Sequence, residues 1–332
     1  MGHSFSEDRL ARISLAVASE PGDTVTGSLV IRVGAAETLA LVTAESSLPG
    51  SIDPAEGSLW RRRLAPRLDP GHVDRVREEM ERRALTMLTT EDLAWPAELQ
   101  QLGPHAPLAL WLSGQPSRLE GVTASRITLV GARAATSYGE HITMELAADL
   151  ASQGRIIYSG GAYGIDGAAH RAATMARPGS TVAVLATGLD CFYPVGNQQL
   201  FERIQDSGGL LVSELPPGAS PTRWRFLQRN RLLAALSAAT IVVEAGYRSG
   251  SLNVASQAHS LGRPIGAVPG PITSPASAGC HRLLQEGIAT IVTDTRDAID
   301  LLDSTNSTGP DKAFGFATAA RRPLRLDPDI SL

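Results

Sequence analysis

Four short stretches of this 332-residue chain combine residue types suited to holding an anion. In Gly131-Ala132-Arg133-Ala134-Ala135-Thr136, Gly131 permits a tight turn and small residues let backbone N–H groups approach a ligand. Arg133 in the same loop can chelate a phosphate. Ser159-Gly160-Gly161-Ala162-Tyr163-Gly164-Ile165-Asp166 leaves room for a phosphate chain beside a helix N-terminus, whose dipole favours anions. Asp166 fits either as the N-cap of that helix or as a ligand contact. His170, four residues on, fits either a hydrogen-bonded structural role or a catalytic one. Arg223-Trp224-Arg225-Phe226-Leu227-Gln228-Arg229-Asn230-Arg231 interleaves four arginines with two aromatics. That mixture suits a single-stranded nucleic acid, with guanidinium on phosphate and ring on base. It fits equally a solvated helix end with Trp224 and Phe226 in the core. The fourth stretch, Ala245-Gly246-Tyr247-Arg248-Ser249-Gly250-Ser251-Leu252, brings glycines, hydroxyls and one arginine to a helix start.

The elements that must carry these loops alternate regularly. Short apolar runs over 127–130, 155–158, 181–185, 210–213, 240–244, 264–268 and 289–292 read as strands. Between them, 138–152, 167–176, 197–206, 226–237, 250–261, 279–286 and 295–302 read as helices. This alternation predicts an α/β fold, a doubly wound, mostly parallel Rossmann-like sheet. Loops leaving the strand C-termini then share one edge, which puts Arg248 on the same edge as Arg133. Residues 1–90 predict a small helical domain, with helices over Glu7–Ala18 and Ile31–Ala44 and a charged one over His72–Ala84. Residues 91–302 form the predicted core, including a buried strand over Leu108–Leu112, and 303–332 read as a flexible tail. The Arg61-Arg62-Arg63 triplet is either an exposed charged face or a DNA contact.

Composition sets the outer bounds. Hydrophobic residues at 43% and charged ones at 19% exclude global disorder. The formal net charge of −4 argues against bulk electrostatic adhesion to nucleic acid, although a partner feels the local field. Locally the charge differs: residues 215–243 hold four arginines and no acid. Lys312 is the only lysine, so the basic contacts would be planar, bidentate guanidinium groups. No apolar run suits a membrane span and the first 30 residues lack a signal-peptide layout, which predicts a cytoplasmic protein. Cys191 and Cys280 are too few for a disulfide framework and predict small buried hydrophobes. GxGxxG, the P-loop, GxSxG, HExxH and CxxC patterns are all missing, so binding is favoured over chemistry.

At these residues the sequence resembles the DNA-processing protein A (DprA, or Smf) family. The resemblance covers about Leu93 to Leu302 and rests on motifs in order: VGAR (130–133), SGGAYGIDGAAH (159–170), TVAVLATGLDCFYPVGN (181–197), SELPPG (213–218), FLQRNRLLAALS (226–237), VVEAGYRSGSL (242–252) and AVPGPI (267–272). It implies a Rossmann-like core that binds single-stranded DNA, dimerises, and helps load the recombinase RecA during natural transformation, with no cofactor and no enzymatic role. By motif position, Gly131 and Arg133 would belong to the pocket, and Ser159, Gly160, Gly161 and Gly164 to the phosphate loop. Arg225, Arg229, Asn230 and Arg231 would be basic and polar contacts, with Arg248, Ser249 and Gly250 completing the site. Asp166, His170 and Glu244 would support it structurally. Tyr163 departs from the family, where many relatives carry a basic residue, and a ring there would exchange charge for stacking area. The family's frequent C-terminal winged helix is not expected, and residues 1–90 match its small SAM-like helical domain only loosely.

The leading reading is therefore a sequence-tolerant single-stranded DNA-binding recombination mediator. Four arginines on phosphates would give a log K against log salt slope of about −3. A nucleotide-binding enzyme of the phosphoribohydrolase type is the alternative, using Asp166, His170 and Glu244, although AGYRSGSL only partly echoes the PGGxGTxxE element of such enzymes. A protein-binding scaffold with incidental basic loops is the third reading.

Overall fold

The computed structural model describes residues 5–44, 48–50 and 52–303. The tail expected over 303–332 lies outside the described residues from 304 onward. In chain order come helices α1 (Glu7–Ala18), α2 (Thr24–Val33), α3 (Ala35–Thr43), α4 (Pro54–Leu64) and α5 (Pro70–Arg82), then strands β1 (Thr86–Leu88), β2 (Leu110–Gly114) and β3 (Arg126–Gly131). Helix α6 (Ser137–Ser152), β4 (Ile156–Ser159), α7 (Ile165–Ala176), β5 (Thr181–Leu185), α8 (Gln198–Asp206) and β6 (Leu210–Ser213) follow. The chain continues through α9 (Arg223–Leu236), β7 (Ala239–Glu244), α10 (Ser251–Ser260), β8 (Ile265–Ala267), α11 (Ala278–Gln285), β9 (Thr290–Ile291) and α12 (Thr295–Asp303).

Two compact units share these elements. The first joins residues 1–120 to 182–232, and the second joins 121–181 to 233–332. In the first unit β1 pairs with β2 and β2 with β6, so the helical N-terminal segment and residues 182–232 form one body.

In the first unit the helices start where Asp can cap them. Asp23, Asp53 and Asp69 accept backbone N–H bonds at α2, α4 and α5, and Pro54 and Pro70 stand at the first helical position, where no donor is missed. The single helix expected over 31–44 is two, α2 and α3, meeting at Gly34 with φ +84°. Helix α4 was not expected from its charge-dense sequence. It is fixed by Trp60, fully buried, whose Nε1 donates to Thr26 Oγ1 at 2.8 Å. The arginines after it form its last turn, where Arg61 donates to Leu41 O and Arg63 pairs with Asp23. The strands run in the order β1-β2-β6-β5, with β1/β2 and β2/β6 antiparallel and β5/β6 parallel. Trp111, Ala183, Leu185 and Leu211 pack with Phe201 and Ile204 of α8.

The second unit is a parallel sheet in the order β4-β3-β7-β8-β9. Alternation along the strands sends Ile127, Leu129, Ala239, Ile241 and Val243 into one core with α6, α7 and α12. The intervening residues point to the other side, where Thr128 Oγ1 donates to Leu233 O at the end of α9 and Cys280 of α11 donates to Val242 O. Helices on both faces make this a doubly wound, Rossmann-like arrangement. Cys280 is buried as expected, whereas Cys191 is exposed, because it sits in the loop after β5.

Candidate nucleic-acid interface

β4, β3 and β7 are parallel neighbours, so the loops after them emerge side by side at one sheet edge. Those loops are the three glycine-bearing stretches of the second unit, and backbone contacts lock them together. Ala132 N–H donates to Glu244 O at 2.6 Å, and Ile165 N–H donates to Ala132 O at 3.2 Å. Gly164 lies at φ +70°, and a Cβ there would come within 2.5 Å of the Arg133 carbonyl oxygen. Only glycine meets both conditions. The Arg133 loop is consequently held from both sides, and Arg133, Tyr163 and Arg248 are all exposed.

The other predicted residues of this unit are placed as follows. Gly131 ends β3, with Ile165 and the Glu244 backbone packed too closely for a side chain. Ser159 is buried and donates to Leu129 O at 2.6 Å, and Gly160 and Gly161 are buried beside it. Ser249 shares a hydrogen bond with Ser251, and Gly250 occupies the N-cap position of α10. Asp166 is not the N-cap of α7. Gly164 holds that position without a side-chain bond, because the chain enters the helix through its positive φ. Asp166 stands two residues later, buried, and accepts a bond from Ala162 N–H at 3.3 Å. His170 is fully buried, with Nδ1 2.7 Å from Thr181 Oγ1. Glu244 is 2% exposed and turned inward, accepting from Thr136 N–H and Thr136 Oγ1. Nearby, burial pushes the Cys280 thiol up to about 12, with backbone contacts opposing and the Glu244 charge adding to the rise. Burial likewise raises Tyr138, whose hydroxyl donates to Pro269 O.

The arginine stretch belongs to α9. Thr222 Oγ1 accepts from Arg225 N–H and caps the helix, leaving Arg223 and Trp224 exposed on its first turn. The remaining cations are spent on the protein itself. Arg225 pairs with Glu20 at 2.9 Å. Arg229 is buried, donates to Val184 O, and lies 5.8 Å from the Phe226 ring centroid. Arg231 is buried in a bidentate pair with Glu214, both bonds 2.6 Å, and donates also to the carbonyls of His105 and Gln228. Asn230 is buried between them. Residues 215–243 hold no acid, yet acids from outside that window, Glu20 and Glu214, neutralise two of its four arginines. Trp224, at 51% exposure, is not a core residue. Two residues were missed by motif reading: Arg223 lies one helical turn before Phe226 on the same face, and exposed Tyr193 meets Phe226 edge-on at 5.8 Å. Helical i, i+3 spacing would have found the first; the second needs the fold.

Chemical machinery is sparse. Among the described residues no cluster of three or more His, Cys, Asp or Glu could hold a metal ion, and no helix is long and apolar enough to cross a membrane. What remains is a sheet edge of arginines, a tyrosine and glycine-shaped backbone. The family model of DNA recombination-mediator protein A matches residues 86–303. The chain belongs to that family. It is 48% identical over 244 residues to a putative DNA processing protein DprA of Mycobacterium tuberculosis, a match covering 69% of this chain and 61% of that protein. The chain therefore spans less than two thirds of that relative's length. The X-ray structure of DNA processing protein A from Streptococcus pneumoniae superposes with a TM-score of 0.70 at 28% identity, covering 90% of this chain and 98% of that one. A Helicobacter pylori DprA structure, described by its single-stranded DNA binding mode, gives a TM-score of 0.59 at 30% identity over 66% of this chain and 96% of its own. Membership of the mediator family accounts for the ordered motifs, and the match begins at residue 86, after the five N-terminal helices.

Proposed function

We propose that this protein is a single-stranded DNA-binding recombination mediator, acting as a homodimer that protects incoming DNA and loads RecA during natural transformation in the cytoplasm. The observation that carries the DNA-binding part is the sheet edge of the second unit, where Arg133, Tyr163 and Arg248 emerge exposed from three adjacent, mutually clamped loops. Guanidinium groups offer bidentate bonds to phosphates, and Tyr163 offers a ring to a base with no sequence preference. In the first unit Arg223 and Phe226, with Tyr193 against the ring, offer the same pairing of charge and aromatic surface. In this reading Arg229 and Arg231 act from the interior by fixing α9, and Arg223 takes the surface role. The RecA and transformation roles, and a reading without a catalytic step, are supported by family membership.

The phosphoribohydrolase alternative requires carboxylates that face a substrate. Glu244 and Asp166 are buried and accept hydrogen bonds from the protein's own backbone, which disfavours it. Titrating labelled single-stranded and duplex oligonucleotides of equal length tests the proposal. Preferential single-strand binding that weakens in Arg133→Ala is expected; equal affinity for duplex, or release of free base from nucleoside monophosphates, would overturn it.

A further inference from the structure

Helix α6 begins directly after the Arg133 loop, and its first N–H groups need acceptors. Thr136 is its N-cap: Oγ1 accepts from Gly139 N–H at 3.1 Å. In a capping box the residue three positions after the cap is Glu or Gln, which reaches back to the cap's own N–H. Here that position is Gly139, which has no side chain to send. The carboxylate arrives from Glu244 at the end of β7 instead. Oε2 accepts from Thr136 N–H at 2.8 Å and Oε1 from Thr136 Oγ1 at 2.7 Å. A Cβ on Gly139 would lie 2.5 Å from Glu244 Oε2, so the carboxylate fills the volume a capping-box side chain would use.

We infer that Glu244 is a built-in anion, a positioning and specificity-determining residue that closes the α6 N-terminus from another strand. The helix N-terminus after the first strand of a Rossmann-like sheet is where a nucleotide phosphate ordinarily sits. Glu244 occupies that end of α6, which excludes free phosphate groups and small nucleotides. The same two bonds fix Thr136 and so hold the 131–136 loop that carries exposed Arg133. Selection of a strand over a mononucleotide would then be set by a residue that touches neither. The anion-exclusion half stands on the geometry of α6 alone; the strand half rests on the DNA-binding reading above.

The test is removal and chemical replacement of the carboxylate. In Glu244→Ala, sodium acetate or orthophosphate should raise the melting temperature beyond sodium chloride at equal ionic strength, as expected when an anion binds only the folded state. Wild type and Glu244→Gln, whose site stays filled, should show no such anion-specific rise. Glu244→Ala should bind oligo(dT) about fivefold more weakly in chloride, the effect of losing a helix cap, and recover in acetate. Glu244→Asp keeps the charge but withdraws it by one methylene, so oligo(dT) binding should weaken with the salt slope unchanged. The inference is overturned if acetate and phosphate do no more than chloride for Glu244→Ala, or if wild type is stabilised by phosphate to the same degree. Should Glu244→Ala not fold in any of these salts, wild-type affinity in Glu244→Asp would overturn it equally. If no form binds oligo(dT), the DNA-binding reading fails, while the melting experiment still decides the role of Glu244.

Discussion

Replacing Arg231 by alanine separates a structural arginine from a DNA-contacting one. Its guanidinium forms two 2.6 Å bonds to Glu214 with side chains 4% and 5% exposed, and two further bonds to the carbonyls of His105 and Gln228. Truncation leaves the Glu214 carboxylate buried without its partner, a loss of about 3–5 kcal/mol. At roughly 2–4 °C per kcal/mol for a body of this size, the first unit should melt roughly 6–20 °C lower. Exposed Arg223 is the control: Arg223→Ala should alter stability by no more than about 0.5 kcal/mol. It should instead reduce the salt slope of oligo(dT) binding by about 0.7, one phosphate contact. Glu214→Gln/Arg231→Met should recover much of the stability lost in Arg231→Ala, because an uncharged pair of similar volume leaves no buried charge without a partner. Thermal unfolding by circular dichroism, paired with fluorescence-anisotropy titrations at several salt concentrations, reads both quantities. An Arg231→Ala protein that melts with wild type yet loses a full phosphate contact would refute this reasoning.

Tyr163→Ala should weaken oligo(dT) binding at least about fivefold with an unchanged salt slope, the signature of lost stacking, whereas Tyr163→Lys should steepen the slope by about 0.7 in the same titrations. Gly164→Ala must place a Cβ against the Ala132 and Arg133 carbonyls at φ +70°, and should cost about 2 kcal/mol or more in urea unfolding. Cys280 ionises near 12 in the fold against an ordinary 9, so a thiol reagent at pH 8 should label Cys191 alone until denaturant is added. The same raised value means that the Cys280 contribution to stability is complete below pH 9 and declines as pH rises toward 12, a decline that Cys280→Ala should remove. Asp297 is held below its ordinary 3.8 chiefly by Thr293 N–H, so its contribution is present above that value and lost as pH falls beneath it; Asp297→Asn should flatten the acid limb of a melting-temperature profile.

Much of the sheet was legible because parallel strands buried on both faces read as unbroken apolar runs. The expected 181–185 and 210–213 match β5 and β6, and the glycine loops between strands and helices fall where turn chemistry put them. The N-terminal helices were harder, since α4 is polar along most of its length and its place is set by contacts distant in sequence, Trp60 to Thr26 and Arg61 to Leu41 among them. Of the two roles open to Asp166, the N-cap fails for a local cause: a residue of suitable type stands near a helix start, but the positive φ of Gly164 places that start two positions earlier. The arginine stretch misled for a nonlocal reason. Arg225 and Arg231 find Glu20 and Glu214 at separations of 205 and 17 residues, which charge counting within a window cannot register. Glu244 illustrates the converse: its carboxylate completes a cap 108 residues upstream, a role no local pattern announces.

The central claim is tested most directly by the salt dependence of oligo(dT) affinity in wild type and Arg133→Ala. The two exposed arginines of the second unit's sheet edge, Arg133 and Arg248, contribute about 1.4 to the expected slope, of which Arg133→Ala should remove about 0.7. A slope indifferent to Arg133→Ala, or an affinity indifferent to salt, would contradict a phosphate-reading sheet edge.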